Sequence, residues 1–498
     1  MLKLKLKLKL YYALFFLLLT SFSLRGQNIT PMAVSNYSRV HSVYLNPSLS
    51  AYSAYNWQVN LAGVWGNVNN NYLTLRLPYS AYRLTGRVPM VYRDENGNPR
   101  FDKTWLHETI NGRPKHASVS SDVYGPSVSF KVKQWSLGFV SSAHGNVRAS
   151  RLPENLAHAI FKEFDSAQGA FSQFNATGSN TIDKFSVVGN SRVAAGINIA
   201  RAIALDWNRN LLLGVTVKRN WGMPGFYLHN SGMQMDMVRS DSMVLQPASI
   251  QMVTYGNSVG KGWGVDLGAT YVFHKKATKR QGGYSKNQTR YFGKFGFSIM
   301  DIGSIRYNDA EFHEVQIQSV SGINVDRGFR DYAAGNTNYQ ALADTFLNRF
   351  ADVKNYTGSY KVGLPTRLVL SADFQLKKNF FVSGVITQSL RRKLSPNSRY
   401  QSALMVAPRW EYRFFEFSMP VLLQYDYRAL RIGSSLRVGP VYIGSNSVAS
   451  FLYTRGVKDA DIFIGIAFSD LSDFSFRKSF RKWKDEKVRS MQGCYNVF

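Results

Sequence analysis

The chain has 498 residues, with Lys and Arg outnumbering Asp and Glu 61 to 31 for a formal charge of +30. Its basic residues are scattered along the sequence, which argues against a nucleic-acid-binding block. Hydrophobic content is 45%, and no run beyond the first twenty residues approaches the ~18 apolar residues a spanning helix needs, so a helical membrane protein is excluded. The single cysteine, Cys494, excludes an intramolecular disulfide framework, a thiolate zinc cluster and an acylated N-terminal cysteine.

The first 26 residues read as a secretory signal peptide. Lys3, Lys5, Lys7 and Lys9 form a positive n-region, Tyr11 to Leu19 an apolar h-region, and Gly26 a small residue before a cleavage point at Gln27. Removing those four lysines and Arg25 lowers the charge from +30 to +25. For an exported chain the expected counter-charges are outer-membrane lipids, lipopolysaccharide or an acidic protein partner, and no nucleic acid.

From residue 57 the dominant pattern has period two, the mark of a half-buried strand. Trp57, Val59, Leu61 and Trp65 alternate with Gln58, Asn60 and Gly66. Val128, Phe130 and Val132 lead through a turn at Lys133-Gln134 into Trp135, Leu137 and Phe139. Residues 193–202 and 211–220 form another hairpin, in which Leu211, Leu213, Val215 and Val217 oppose Leu212, Gly214, Thr216 and Lys218. Trp263, Val265, Leu267, Ala269, Tyr271 and Phe273 oppose Gly264, Asp266, Gly268 and Thr270, and pair with 291–302. Further strands are expected at 367–376, 380–388, 403–413, 415–425, 429–438, 440–446 and 462–468.

The apolar face of these strands is aromatic, while the opposite face carries Gly, Ser, Thr and charge. A soluble sandwich turns its small polar residues outward; a membrane barrel reverses this, with lipid outside and a polar interior. Short turns alternate with long loops, as in barrels with short periplasmic turns and long outer loops. The expectation is an all-β chain: a transmembrane antiparallel β-barrel of about 14 strands (12 to 16) over residues 57–468. Helical spacing adds a short helix within 153–172 and a second helical piece around Tyr339 to Phe350.

After Phe468 the composition changes. Phe476, Phe480, Trp483 and Lys487 fall at helical spacing among Arg477, Arg481 and Lys484, so residues 469–498 read as a basic periplasmic tail forming an amphipathic helix. Such a helix lies on a membrane face or docks a protein partner in the outer membrane or periplasm.

Asn46-Pro47-Ser48, in "YLNPSLSAYSAYNWQVNLAGV", resembles the Asn-Pro-Ala element near the mature N-terminus of FadL-like and PorV-like barrels. Four stretches (262–273, 298–308, 364–384 and 430–446) resemble an uncharacterised family of Bacteroidota outer-membrane proteins, over about residues 40 to 468. The resemblance implies a signal-bearing outer-membrane barrel with a plug-like segment at 27–56, and brings no established activity. Ser48 in place of the usual alanine and the basic tail are departures from that pattern.

Eight histidines show no His-x-x-x-His spacing and no phosphate loop is present, so no metal, cofactor or enzymatic reaction is expected. Asp301, flanked by Ile299 and Ile302 and followed by Arg306, is expected to make a lumen-facing ion pair that fixes a bend at Gly303. Asp266 and Asp373, mid-strand on the polar face, read the same way. Two functions fit: a scaffold or accessory subunit of a secretion or surface-assembly complex, and a FadL-like conduit for hydrophobic small molecules. The polar lumen series Asn60, Lys131, Thr216, Lys218, Asp266 and Lys294 suits a filled barrel and favours the first.

Overall fold

The computed structural model describes residues 31–80, 83, 88–97, 100, 102–165, 178–206, 208–239, 242–274, 291–317, 320–324, 351–448 and 457–470. The signal peptide, the piece at Tyr339 to Phe350 and the tail residues Phe476, Arg477, Phe480, Arg481, Trp483, Lys484 and Lys487 lie outside the described residues.

Nineteen hydrogen-bonded segments form one antiparallel sheet. Five strands are each interrupted once, so the ring has fourteen. They are β1 (Trp57–Asn70), β2 (Lys115–Tyr124, then Ser127–Val132), β3 (Trp135–Leu152), β4 (Phe185–Asp206) and β5 (Arg209–Asn230). Next come β6 (Ala248–Tyr255, then Gly260–Phe273), β7 (Gly293–Ile317) and β8 (Ala351–Gly363, then Arg367–Lys377). The ring continues through β9 (Phe380–Ser389), β10 (Ala403–Glu411), β11 (Phe415–Ser418, then Val421–Gln424) and β12 (Ala429–Ile432, then Ser434–Val438). It ends with β13 (Val441–Ser445) and β14 (Asp459–Ser469). β14 returns to pair with β1 from Gln58↔Ser469 to Asn69↔Asp459, which closes the barrel and leaves no open edge.

Every interruption contains Gly or Pro: Gly125-Pro126, Gly256, Pro365, Pro420 and Gly433. Proline has no amide to give a ladder and glycine bends freely, so these are the places where a continuous strand kinks without losing its neighbours. One end of the barrel carries two-residue turns at 133–134, 378–379 and 439–440, a three-residue turn at 412–414, and the close join from Asp206 to Arg209. The connection 274–292 is the long exception at that end. The other end carries the long loops, with helix Glu154–Asp165 and a four-stranded sheet of Gly178–Ile182, Met233–Arg239, Ser242–Leu245 and Val320–Asn324.

Burial follows the inverted alternation. Trp57, Phe139, Ile197, Val217, Trp263, Leu267, Phe297, Ile386, Trp410, Ile443 and Ile464 are exposed on the outer face of successive strands. Asn60, Ser129, Asn198, Thr216, Asp266, Thr270, Ser298, Asp373, Ser383, Arg409 and Asp461 are buried inside. Trp65 corrects the sequence reading: it is inward and 1% exposed, where plain alternation puts it beside Trp57 and Leu61. A bulge between Asn60 and Ala62 adds one residue to β1 against β14, and parity reverses beyond it.

Candidate functional site: the plugged lumen

Residues 31–56 enter the barrel from the short-turn end as three helical turns, Pro31–Val34, Val40–Val43 and Pro47–Ala51, nearly all buried. The third begins at Asn46, whose Oδ1 accepts from the Ser48 amide at 3.0 Å and from Ser48 Oγ at 2.7 Å. Pro47 at its first position adopts the required φ and lacks the amide that would otherwise go unpaired. Asn46 Nδ2 donates to Thr270 Oγ1 at 3.2 Å and to the Ala269 carbonyl at 3.3 Å, and Ser48 Oγ lies 2.7 Å from Thr270 Oγ1.

Three strands make room for this turn by omitting a side chain. Gly214 on β5 and Gly268 on β6 are direct cross-strand partners, and Gly296 on β7 pairs with Thr270. A Cβ at Gly214 would meet the Pro47 carbonyl carbon at 2.5 Å, and one at Gly268 would meet Pro47 Cδ at 2.8 Å. Small residues here have a steric reason: the plug backbone approaches the wall directly.

Elsewhere the plug is held by the wall's polar side chains. Arg39, wholly buried, donates to the Tyr55 carbonyl at 2.7 and 3.1 Å, to the Ser50 carbonyl at 2.7 Å and to Ser136 Oγ at 2.8 Å. Gln58 Oε1 accepts from the amides of Arg39 and Val40 at 2.8 and 2.9 Å. Ser50 Oγ donates to Asn198 Oδ1, Ser298 Oγ to the Leu45 carbonyl and Arg367 to the Tyr44 carbonyl.

Two ionic networks flank it. Lys218 Nζ sits between Asp266 (2.9 Å) and Asp301 (2.5 Å), with Arg192 at 3.8 Å from Asp301. Asp301 has φ +57° and Gly303 φ +150°, and the Asp301 amide donates to Asp266 Oδ1 at 2.7 Å. The β6–β7 register shifts here, between Val265 and Leu267, so Met300 and Asp301 both turn inward. Arg306 does not join this network. It lies beyond the shift on the exposed outer face, and Lys218 is the cation that meets Asp301. In the second network Asp373 pairs with Lys294 (3.0 Å) and Arg409 (3.3 Å), Arg409 with Glu411 (2.9 Å), and Glu416 with Arg437 (3.3 Å). Asn36 bridges Lys294 and Glu411 at 2.8 Å each, and Ser35 Oγ donates to Glu416 at 2.6 Å.

From the long-loop end, residues 390–402 fold down across the wall, and the Tyr400 ring lies 4.4 Å from the Arg367 guanidinium that donates to the plug's Tyr44 carbonyl. The Lys393 carbonyl accepts from Arg148 and the Leu394 carbonyl from Tyr227, while Tyr400 OH reaches His144 Nδ1 at 3.2 Å. Where loop and wall meet, Asp122, His144, Arg192 and Arg399, with Ile305 and Val362, line a cavity of about 30 Å³. That holds a water or two.

Arg39, Arg192, Arg409, Glu411, Glu416 and Arg437 were not singled out in the sequence. For the five on strands the signal is a charged residue at the inward parity of an otherwise alternating strand; Arg39, in the helical plug, carries no such signal. Ser142 Oγ, His144 and Asp122 form a hydrogen-bonded chain of 2.9 and 2.6 Å in hydrolase order, yet the cavity beside it is too small for an acyl substrate. Gly256-Asn257-Ser258-Val259-Gly260 matches a nucleophile-elbow pattern, but it joins two halves of β6 where an elbow joins strand to helix. Among the described residues no group of three His, Cys, Asp or Glu is placed to hold a metal.

The chain belongs to the family of unknown function DUF5723, whose model matches residues 47–446. No curated protein matches it. Among solved structures it is similar to the Pseudomonas putida toluene transporter TodX (11% identity, 90% of this chain and 98% of that one, TM-score 0.36). A Pseudomonas aeruginosa FadL homologue is similar at 12% identity over 87% and 95% of the two chains, TM-score 0.36. The translocator domain of the Neisseria meningitidis autotransporter NalP is more distant, at 7% identity, 83% and 88% coverage and TM-score 0.28. At these scores the likeness carries no argument; the barrel rests on its own pairing and burial.

Proposed function

We propose that this DUF5723 chain is a non-enzymatic outer-membrane β-barrel that serves as a scaffold or accessory subunit of a secretion or surface-assembly complex. The outward belt of Trp, Phe, Ile, Leu and Val on a closed barrel supports the membrane location, because only lipid stabilises so much exposed apolar wall. The observation that carries the scaffold reading is closure from both ends: residues 31–56 below and 390–402 above leave a lumen filled by hydrogen-bonded side chains. A barrel so filled presents surfaces; it does not pass solutes. The basic tail at 469–498 supplies a docking element for an acidic periplasmic protein.

A second reading, a FadL-like conduit for hydrophobic small molecules, draws on one observation. Met32, His41, Tyr44, Trp65, Tyr124, Tyr442 and Phe463 surround a largely apolar space of about 10 Å³ beside the plug, room for one water unless the plug moves.

Gentle detergent extraction of a tagged chain from native outer membranes, with mass spectrometry of everything retained, separates the two. A stoichiometric protein lost when residues 474–498 are deleted, with membrane insertion intact, is the expected result. A solitary barrel holding a defined apolar molecule overturns it in favour of the conduit.

A further inference from the structure

On the outer face of β6, β7 and β8, Lys261 lies directly opposite Arg306, and Arg306 directly opposite Lys361. All three are exposed. Residues facing each other across strands have Cβ atoms about 5 Å apart, and like charges so placed destabilise a sheet unless something neutralises them. Among the described residues no acid pairs with any of the three. The neighbours one step away on the same side carry no acid: Val259 just before the second half of β6 and Trp263 on it, Ser304 and Asn308 on β7, and Ser359 on β8. The closest acids on β7 are occupied nearer the long-loop end, Asp309 by the Ser258 amide and Glu311 by Asn257 Nδ2 at 3.0 Å. By contrast Lys354, farther out on β8, has Asp352 beside it at 3.8 Å.

The position of the row is as telling as its charge. Immediately toward the short-turn end, Trp263 is 59% exposed with the Arg219 guanidinium stacked 5.0 Å from its ring, and Trp221 faces Lys261 across β5 and β6. Below these lie Val265, Leu267, Phe297, Ile302 and Leu370, the apolar wall itself. Indole rings favour the border between acyl chains and headgroups, so the three cations stand at headgroup height. They stand on the long-loop side, the outer side in barrels with short periplasmic turns. Lys and Arg stems pack along apolar wall while their charged ends reach outward.

We propose that Lys261, Arg306 and Lys361 form a binding row for the phosphate groups of the outer-leaflet glycolipid, lipopolysaccharide. The proposal rests on the outer-membrane reading above. The row gives three donors to adjacent phosphate oxygens; Arg306, at its centre, offers the planar fork suited to bidentate contact. Below, Trp263 and the apolar wall meet the acyl chains.

The test uses the full chain expressed in a Gram-negative outer membrane and purified in mild detergent. Lipid A retained per barrel is measured by mass spectrometry, and rebinding is measured with lipid A and with dephosphorylated lipid A. Wild type is expected to retain lipid A, and the Lys261→Gln/Arg306→Gln/Lys361→Gln variant about tenfold less or lower still. The dephosphorylated form is expected to bind both equally weakly. Arg306→Gln alone serves if the triple variant does not insert, and Lys377→Gln/Lys378→Gln, at the opposite end, controls for net charge. Equal retention by wild type and row variants, or equal binding of the two lipid forms to wild type, overturns the row. Outer-membrane fractionation and heat-modifiable gel migration of wild type test the underlying reading separately: a wild-type chain that never enters the membrane overturns both.

Discussion

Lys218 shows what a charged residue does inside this barrel. It neutralises two carboxylates at once, at 2.9 Å from Asp266 and 2.5 Å from Asp301, in a place with almost no water. Removing one partner of a buried ionic group leaves an uncompensated charge, which costs about 3–5 kcal/mol, more than the pair contributes relative to an apolar replacement. Lys218→Met is therefore expected to destabilise the barrel by that order, read as a fall in unfolding temperature in detergent. Asp301→Asn, which keeps a side chain suited to φ +57°, is expected to cost less. A Lys218→Met barrel as stable as wild type contradicts the reading of this network as structural. The sequence exposes half of this arrangement. The inward parity of Asp266 and Asp373 is legible from alternation; that of Asp301 is not, because alternation from Phe295 and Phe297 sends it outward, and only the register shift at Met300-Asp301 turns Asp301 in and Arg306 out. The true partner comes from β5, more than eighty residues earlier in the chain, and no local pattern announces a contact at that separation.

The same limit appears at the scale of an element in β1. Its alternation reads cleanly from Trp57 to Asn60, and one extra residue at the bulge then reverses every side chain beyond it. Deleting Leu61 restores plain alternation from Asn60 to Trp65, so Gln58, Asn60 and Trp65 all keep their inward parity against β14. Gln58 Oε1 holds the Arg39 and Val40 amides, so the plug keeps its anchor. The expected outcome is an inserted barrel whose residues 31–56 resist added protease; a plug that becomes cleavable argues against the single extra residue as the whole cause of the parity reversal. The loop 390–402 gives an element-scale prediction in pH. Burial raises the pKa of Asp426, but its hydrogen bond from Arg399 at 2.6 Å, that residue's charge and Lys393 outweigh this and bring it down to about 2. A depressed carboxylate contributes stability that is complete above its ordinary pKa of ~3.9 and is lost as pH falls through the folded value. Pepsin cleavage within 390–402 is therefore expected to be slow at pH 4 and to rise toward pH 2, and Asp426→Asn to cleave readily at both.

A ring of fourteen strands has a geometric consequence for the whole molecule. About eight strands enclose an interior that side chains can fill, whereas sixteen to eighteen leave an aqueous channel. At fourteen, inward side chains alone leave a gap, and the chain supplies its own filling from the N-terminal segment and from loop 390–402. Alternation and loop lengths reveal the barrel and its strand number, since each is set by neighbours along the chain. The filling is less legible, because Arg39, Ser50 and Asn36 take their meaning from walls assembled much later in the sequence. If the plug fills a space the wall cannot, removing residues 31–56 behind an intact signal should leave a barrel that still closes. Its wall keeps the pairs Asp373–Lys294, Arg409–Glu411 and Glu416–Arg437, and β1 still meets β14. In planar bilayers the wild-type chain is expected to conduct no ions and the plug-deleted barrel to conduct in discrete steps. Restoring closure with an added peptide of residues 31–56 would tie the conductance to the vacated seat over Gly214, Gly268 and Gly296. A wild-type chain that already conducts means the two closures part readily, which favours the conduit over the scaffold. A deleted barrel that stays silent means loop 390–402 closes the lumen by itself.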